Sequence, residues 1–344
     1  MTEELTQREK DILRFVINDF IETATPIGSK FVTKQHNLDW CPATIRNVMA
    51  DLESLGLIDH PYTSAGRVPT DKGFRFYIDS LMELKKLSEE EQSTIHLQLN
   101  EVNTSEEMFR EASKLLGTIS RQLSVVTSPQ LATGVLERIE LVSLSSTKLM
   151  VIVAMRSGIV KTIMFEVASE ISRSYLDSLT SIINERLSGL TLLQVRETIA
   201  ERFRDIHNEE KGVIRLFIDS IDKIFSDSKI SEKLHISGTT NILSQPEFFN
   251  PKKFRSVVDL MNNEEMIIHV LEINEFSPET KSVNITLGDE LGDERLSDYG
   301  VVTGQYVFGD VVGRIGIIGP KRMDYARVVP LVEFLSSNVS KLLS

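Results

Sequence analysis

The residues from Pro42 to Gly56 set the tightest limit on what this chain can become. Ile45, Val48, Met49, Leu52 and Leu55 recur at helical spacing and form one apolar stripe. Pro42 suits the first helical position, where a missing N–H costs nothing, and Gly56 stops the helix. The opposite face presents Ala43, Arg46, Asn47 and Ala50. So short a helix must lie on partners, and the preceding sequence supplies them. Thr6 and Glu9 have capping-box spacing at the start of a helix whose Ile12, Leu13, Val16, Ile17, Phe20 and Ile21 make a second apolar face, ended by Pro26 and Gly28. Ser29 is placed to cap a short helix through about Gln35, with a tight turn from His36 to Asp39. After Gly56, Leu57 and Ile58 begin a strand, and Tyr62 to Pro69 is a loop punctuated by Gly66 and Pro69. Three helices followed by a two-stranded wing predict a winged helix-turn-helix.

Beyond it, a helix from Asp71 carries Phe74, Phe76, Tyr77, Ile78, Leu81 and Met82 out of this domain. Ser88 with Glu91 and Thr104 with Glu107 repeat the capping-box spacing at two further helical stretches. After Pro129 the pattern turns extended: Leu136 to Leu144, Leu149 to Met155 and Ile159 to Val167 read as strands, the last two joined across Ser157 and Gly158. Helical patterns follow at about Ile171 to Leu187, Leu192 to Phe203 and Gly212 to Phe225, then a looser stretch through Gln245. Strands return at Val283 to Leu287, Val301 to Phe308 and Val311 to Ile318, and a helix from about Met323 to Leu342 closes the chain. A sheet interrupted by a helical block suggests one α+β domain carrying an insertion. The expected division is a DNA-binding domain over 1–82, a helical linker and first sheet portion over 83–170, an insertion over 171–235 and the remainder of the sheet domain over 236–344.

The 344 residues exceed what one core usually holds, which agrees with several domains. The single cysteine, Cys41, excludes an internal disulfide or a thiolate cluster and fits a reducing cytoplasm. As the residue before a helix, Cys41 is expected to be small and half-buried. The six histidines show no metal-ligand spacing, and neither GxxxxGK[ST] nor GxGxxG occurs, since Gly319 is followed by Pro320 before Lys321. These features point to no enzyme, no metal and no cofactor. No run approaches 18 apolar residues, so a membrane partner is not expected.

The formal charge of −12, from 38 Lys plus Arg against 50 Asp plus Glu, excludes a chain that coats nucleic acid indiscriminately. It leaves room for a local basic face, and Thr63 to Arg75 holds Arg67, Lys72 and Arg75 against only Asp71. In a helix-turn-helix the third helix enters the major groove while the wing touches the backbone. Arg46 suits a bidentate contact to guanine, Asn47 one to adenine, and Thr44 or Ala43 a thymine methyl. Arg67, flanked by Gly66 and followed by Pro69, sits where a stiff loop can approach phosphate or a minor groove, with Lys72 and Arg75 beside it.

The run Pro42-Ala43-Thr44-Ile45-Arg46-Asn47, then Leu52-Glu53 and Gly56-Leu57-Ile58, then Thr63-Ser64-Ala65-Gly66-Arg67-Val68-Pro69-Thr70, resembles the bacterial heat-inducible transcription repressor HrcA family. Gly238-Thr239-Thr240-Asn241-Ile242-Leu243 and Gly313-Arg314-Ile315-Gly316-Ile317-Ile318-Gly319-Pro320 are similar to the family's later blocks. Two positions depart from its pattern: Cys41 stands where a serine is common and Tyr62 where a histidine is frequent. The resemblance implies a GAF-like α/β sensory domain with an inserted helical dimerisation domain. It also implies a homodimer that binds the CIRCE inverted repeat, represses chaperone operons at normal temperature and is maintained by the GroE chaperonin. The DNA-binding set it implies is Ala43, Thr44, Arg46, Asn47, Thr63, Ser64, Gly66, Arg67, Lys72 and Arg75. The alternative is a small-molecule-responsive winged-helix regulator of a different regulon.

Overall fold

A computed structural model describes residues 5–62, 65–129, 131–167, 171–205, 234–273 and 282–344. The first helix, α1 (Gln7–Thr23), starts at the expected capping box: the Thr6 hydroxyl accepts from the Glu9 N–H while the Glu9 carboxylate accepts from the Thr6 N–H. Its apolar face lies on α2 (Ser29–Gln35) and α3 (Pro42–Ser54), with Ile12, Leu13, Val16, Ile17, Val32, Ile45 and Leu52 fully buried. Ser29 is the first residue of α2 and buried, so Gly28 is the cap and no side chain satisfies that turn. The wing is short, β1 (Ile58–Asp59) against β2 (Val68–Pro69), antiparallel with Ile58 opposite Pro69. Helix α4 (Asp71–Phe76) then runs into a single π-helical turn, Tyr77–Leu81.

Helices α5 (Glu89–Asn100) and α6 (Ser105–Ser120) follow, and β3 (Leu123–Thr127) comes next, five residues all buried. Sequence periodicity does not reveal β3, because a strand buried on both faces has no alternation. The three predicted strands form β4 (Leu136–Ser145), β5 (Lys148–Met155) and β6 (Val160–Glu166), a separate antiparallel sheet in the order β4-β5-β6. Behind them stand α7 (Arg173–Leu187) and α8 (Leu192–Arg202). The predicted helical pattern from Gly212 to Phe225 lies outside the described residues.

The stretch leading to Gln245 is more regular than expected, with β7 (Leu234–Ser237) and α9 (Thr239–Leu243). Two helices absent from the sequence reading, α10 (Pro251–Asn262) and α11 (Glu264–Glu272), precede β8 (Val283–Leu287). Strands β9 (Tyr299–Phe308) and β10 (Val311–Pro320) and helix α12 (Tyr325–Leu343) complete the chain. The second sheet has the order β7-β3-β10-β9-β8, with β3 pairing β10 in the register Ile315 to Val126. Strands adjacent in this sheet thus come from both sides of the intervening helical block, as an insertion requires.

Two compact units result, one of 1–126, 235–305 and 314–338, the other of 127–234, 306–313 and 339–344. The second unit takes in the three strands from Leu136 onward as well as the helices after Ile171. Burial gives the reason: Leu136, Ile139, Leu149, Val151, Val153 and Met155 pack into one core with Leu176, Leu179, Ile183, Val195 and Ile199, so the three strands travel with the helices. The overall class is α+β multidomain, an N-terminal winged helix-turn-helix with a C-terminal mixed α/β domain.

Candidate nucleic-acid interface

Burial splits α3 as the apolar stripe demands. Ile45, Val48, Met49 and Leu52 are buried, while Ala43, Arg46, Asn47 and Ala50 are exposed and Thr44 is half-exposed. Cys41 is the N-cap and is exposed rather than half-buried. Its Sγ lies 3.3 Å from the Thr44 hydroxyl. That bond, with the backbone N–H groups of Thr44 and Ala43, holds the thiol pKa below its ordinary value. No Cys41 side-chain bond caps the helix, so the start of α3 relies on Pro42 at its first position.

The wing is anchored through its main chain. Arg67 N–H donates to the Ile27 carbonyl and Ile27 N–H to the Arg67 carbonyl, each at 2.8 Å. A Cβ on Gly66 would lie 2.6 Å from the Ile27 carbonyl group, so only glycine permits this approach. The Arg67 guanidinium lies 2.7 Å from Glu53 Oε2, each side chain one-quarter exposed. The other Glu53 oxygen is 2.5 Å from His60 Nδ1. Thr63 and Ser64 lie outside the described residues.

The remaining two basic candidates are each engaged within the protein, Lys72 at an exposed position and Arg75 at a half-buried one. Lys72 Nζ donates to the Leu55 carbonyl at 2.7 Å, satisfying a free acceptor at the end of α3. Arg75 Nε donates to Glu290 at 2.9 Å and its Nη2 to the Ile285 carbonyl at 2.9 Å, turning Arg75 toward β8 and away from the wing. Asp71 pairs with Lys321 on the same side. The structure thus leaves Ala43, Thr44, Arg46 and Asn47 on the uncovered side of α3, ties Arg67 to Ile27 and to Glu53 near the end of the same helix, and does not bring Arg75 with them. The sequence reading missed Glu53 and His60, whose shared carboxylate becomes visible only once the wing folds back on α3.

Glu53, Asp59 and His60 bring their ligand atoms within 4.8 Å of one another. A cation there would meet the Arg67 guanidinium already paired with Glu53, so the cluster is better described as an ion-pair network. A cavity of about 560 Å³ opens between α1 and Asp324, lined by Asp19, His36, Tyr77 and Lys85. Its central polar groups are engaged with one another: His36 with Asp19 at 3.1 Å, the Tyr77 hydroxyl with Asn18 at 2.9 Å, and Lys85 with Asp324 at 2.7 Å. Burial pushes the Tyr77 phenol up to about 12, so it stays protonated as that donor.

Comparison with known proteins follows the same division. Residues 4–80 match a family model described as winged helix-turn-helix transcription repressor, HrcA DNA-binding, and residues 106–329 match one described as HrcA protein C terminal domain. The heat-inducible transcription repressor HrcA of Chlorobium phaeobacteroides (strain BS1) is 40% identical over 352 residues, covering 100% of each chain. That of Chlorobium chlorochromatii (strain CaD3) is 42% identical over 346 residues, covering 99% of this chain and 98% of its own. A crystal structure described as a hypothetical protein at 2.2 Å resolution matches the fold with a TM-score of 0.59 at 22% identity, over 99% of both chains.

Proposed function

The chain belongs to the HrcA family of heat-inducible transcription repressors, and on that premise we propose that it silences class I heat-shock (chaperone) operons at normal temperature by binding the CIRCE inverted repeat as a homodimer. The family is one of transcription repressors, not enzymes. The observation that carries the reading is the exposed face of Ala43, Arg46 and Asn47 on α3, the helix whose Glu53 also holds the wing residue Arg67. In the proposed complex Arg46 and Asn47 meet base edges in the major groove, with Thr44 and Ala43 against them. Thr63, Ser64, Gly66 and Arg67 meet the backbone or the minor groove. Arg75 braces the domain rather than touching DNA, while Lys72, exposed although bonded to the Leu55 carbonyl, is free to meet phosphate.

A palindromic target matches a two-fold protein, and two linked heads bind far more tightly than one. The unit built on β4-β5-β6, α7 and α8 supports the role of inserted dimerisation domain, and the sheet β7-β3-β10-β9-β8 that of the GAF-like domain. The repressor works in the cytoplasm, and the GroE chaperonin maintains its active form. Footprinting on DNA upstream of chaperone operons, with and without the chaperonin, tests the reading. Protection of both half-sites, stronger with the chaperonin, is expected; equal binding to scrambled duplex refutes it.

A further inference from the structure

Glu53 occupies a position that the reading of DNA contacts leaves unexplained. Seven residues beyond Arg46, it returns to nearly the same side of α3, about 10 Å along the axis. There its carboxylate takes Arg67 of the wing on Oε2 at 2.7 Å and His60, just past β1, on Oε1 at 2.5 Å. Asp59 lies 3.7 Å from the same His60 nitrogen. The Arg67 backbone is already fixed by two bonds to Ile27, and its Nε is buried without a hydrogen-bond partner. Among the described residues Glu53 is therefore the side-chain anchor of the guanidinium, and it ties the wing to the helix that reads bases.

We propose that Glu53 is a positioning residue: it holds the Arg67 guanidinium at a set offset from the Arg46 and Asn47 face, so that both engage one correctly shaped duplex together. The inference rests on the reading of Arg67 as a DNA contact. A free arginine would reach any phosphate by choosing among its rotamers. A fixed one gains where groove and backbone meet it in place, and its ordering cost is met before DNA arrives. Glu53 thus contributes to discrimination, and its own negative charge lowers attraction to random duplex.

The test is a titration of the full chain against a CIRCE duplex and a scrambled duplex of equal composition, with Glu53→Gln, Glu53→Asp, Arg67→Ala and the double variant Glu53→Gln/Arg67→Ala. Glu53→Gln should lose about tenfold in CIRCE affinity while scrambled-duplex affinity holds or rises, with an unchanged melting curve. Glu53→Asp, which keeps the charge on a shorter stem, should fall between wild type and Glu53→Gln. In the Arg67→Ala background, Glu53→Gln should add no further loss of discrimination. Tighter binding of both duplexes by Glu53→Gln makes Glu53 a mere competitor for Arg67 and overturns the proposal. So does an unchanged ratio, or a loss that persists without Arg67. If wild type discriminates but Arg67→Ala binds as wild type does, the DNA role of Arg67 falls as well, which separates the two failures.

Discussion

At the scale of single residues, the proposed reading assigns base contacts to α3 and backbone contacts to the wing. Arg46→Ala should cost about 1–3 kcal/mol on the CIRCE duplex and blur preference at one base position, because it removes a base-edge contact. Arg67→Ala should weaken binding to every sequence and flatten the dependence on salt, because it removes a phosphate or minor-groove charge. Titrations at two salt concentrations check both. The sequence revealed Arg46 and Asn47 because a helix with one apolar stripe has only one side left to show. For Arg67 it offered the stiffness of Gly66 and Pro69 but not the Glu53 that holds the guanidinium. It misdirected Arg75, since proximity to the wing in sequence says nothing about Glu290, 215 residues away.

At the scale of elements, fixed close approaches set the geometry. A Cβ on Gly73, at the start of α4, would lie 1.9 Å from the Leu57 carbonyl oxygen. Gly73→Ala should therefore push α4 off the wing and cost about 3 kcal/mol in chemical denaturation. Glu91 gives a pH-dependent case. The Ser88 N–H and then the Arg327 guanidinium at 2.6 Å hold its carboxyl pKa below the ordinary 4.5. A depressed carboxylate stabilises above its unfolded value and loses that contribution as pH falls through the folded one. Wild type should exceed Glu91→Gln by about 1 kcal/mol at neutral pH, with the difference shrinking in thermal melts as pH falls below the ordinary carboxylate range. Elements with a strong local signal, such as capping boxes and the β5–β6 hairpin, were legible. Strand β3 and helices α10 and α11 were not: β3 is wholly buried, and its partner β10 lies far along the chain.

At the scale of the whole molecule, the winged helix is fastened to the C-terminal α/β sheet by side chains from both. Arg322, little exposed, pairs with Glu247, donates to Gln245 at 2.9 Å and reaches the α1 carbonyl of Ile21 at 3.0 Å. Arg322→Ala would leave a carboxylate and a carbonyl without their shared donor, a loss of about 3 kcal/mol expected in urea denaturation. Heat should open such a junction readily, since native domains are stabilised by only ~5–15 kcal/mol. Operator binding measured after heating and cooling, with and without chaperonin, should recover fully only with it. That the chain exceeds one core was legible from its length, but which core the strands from Leu136 join was not, because that depends on packing against helices later in the chain.

Pairing Arg75 with Glu290 and Arg67 with Glu53 leaves each reading head with little surplus charge. On the proposed pairing, with heads that dissociate into single chains, promoter occupancy follows the square of the competent chain concentration: withdrawing half leaves about a quarter. On that scheme scarce cations make the head depend on its twin, and a modest temperature rise is answered steeply.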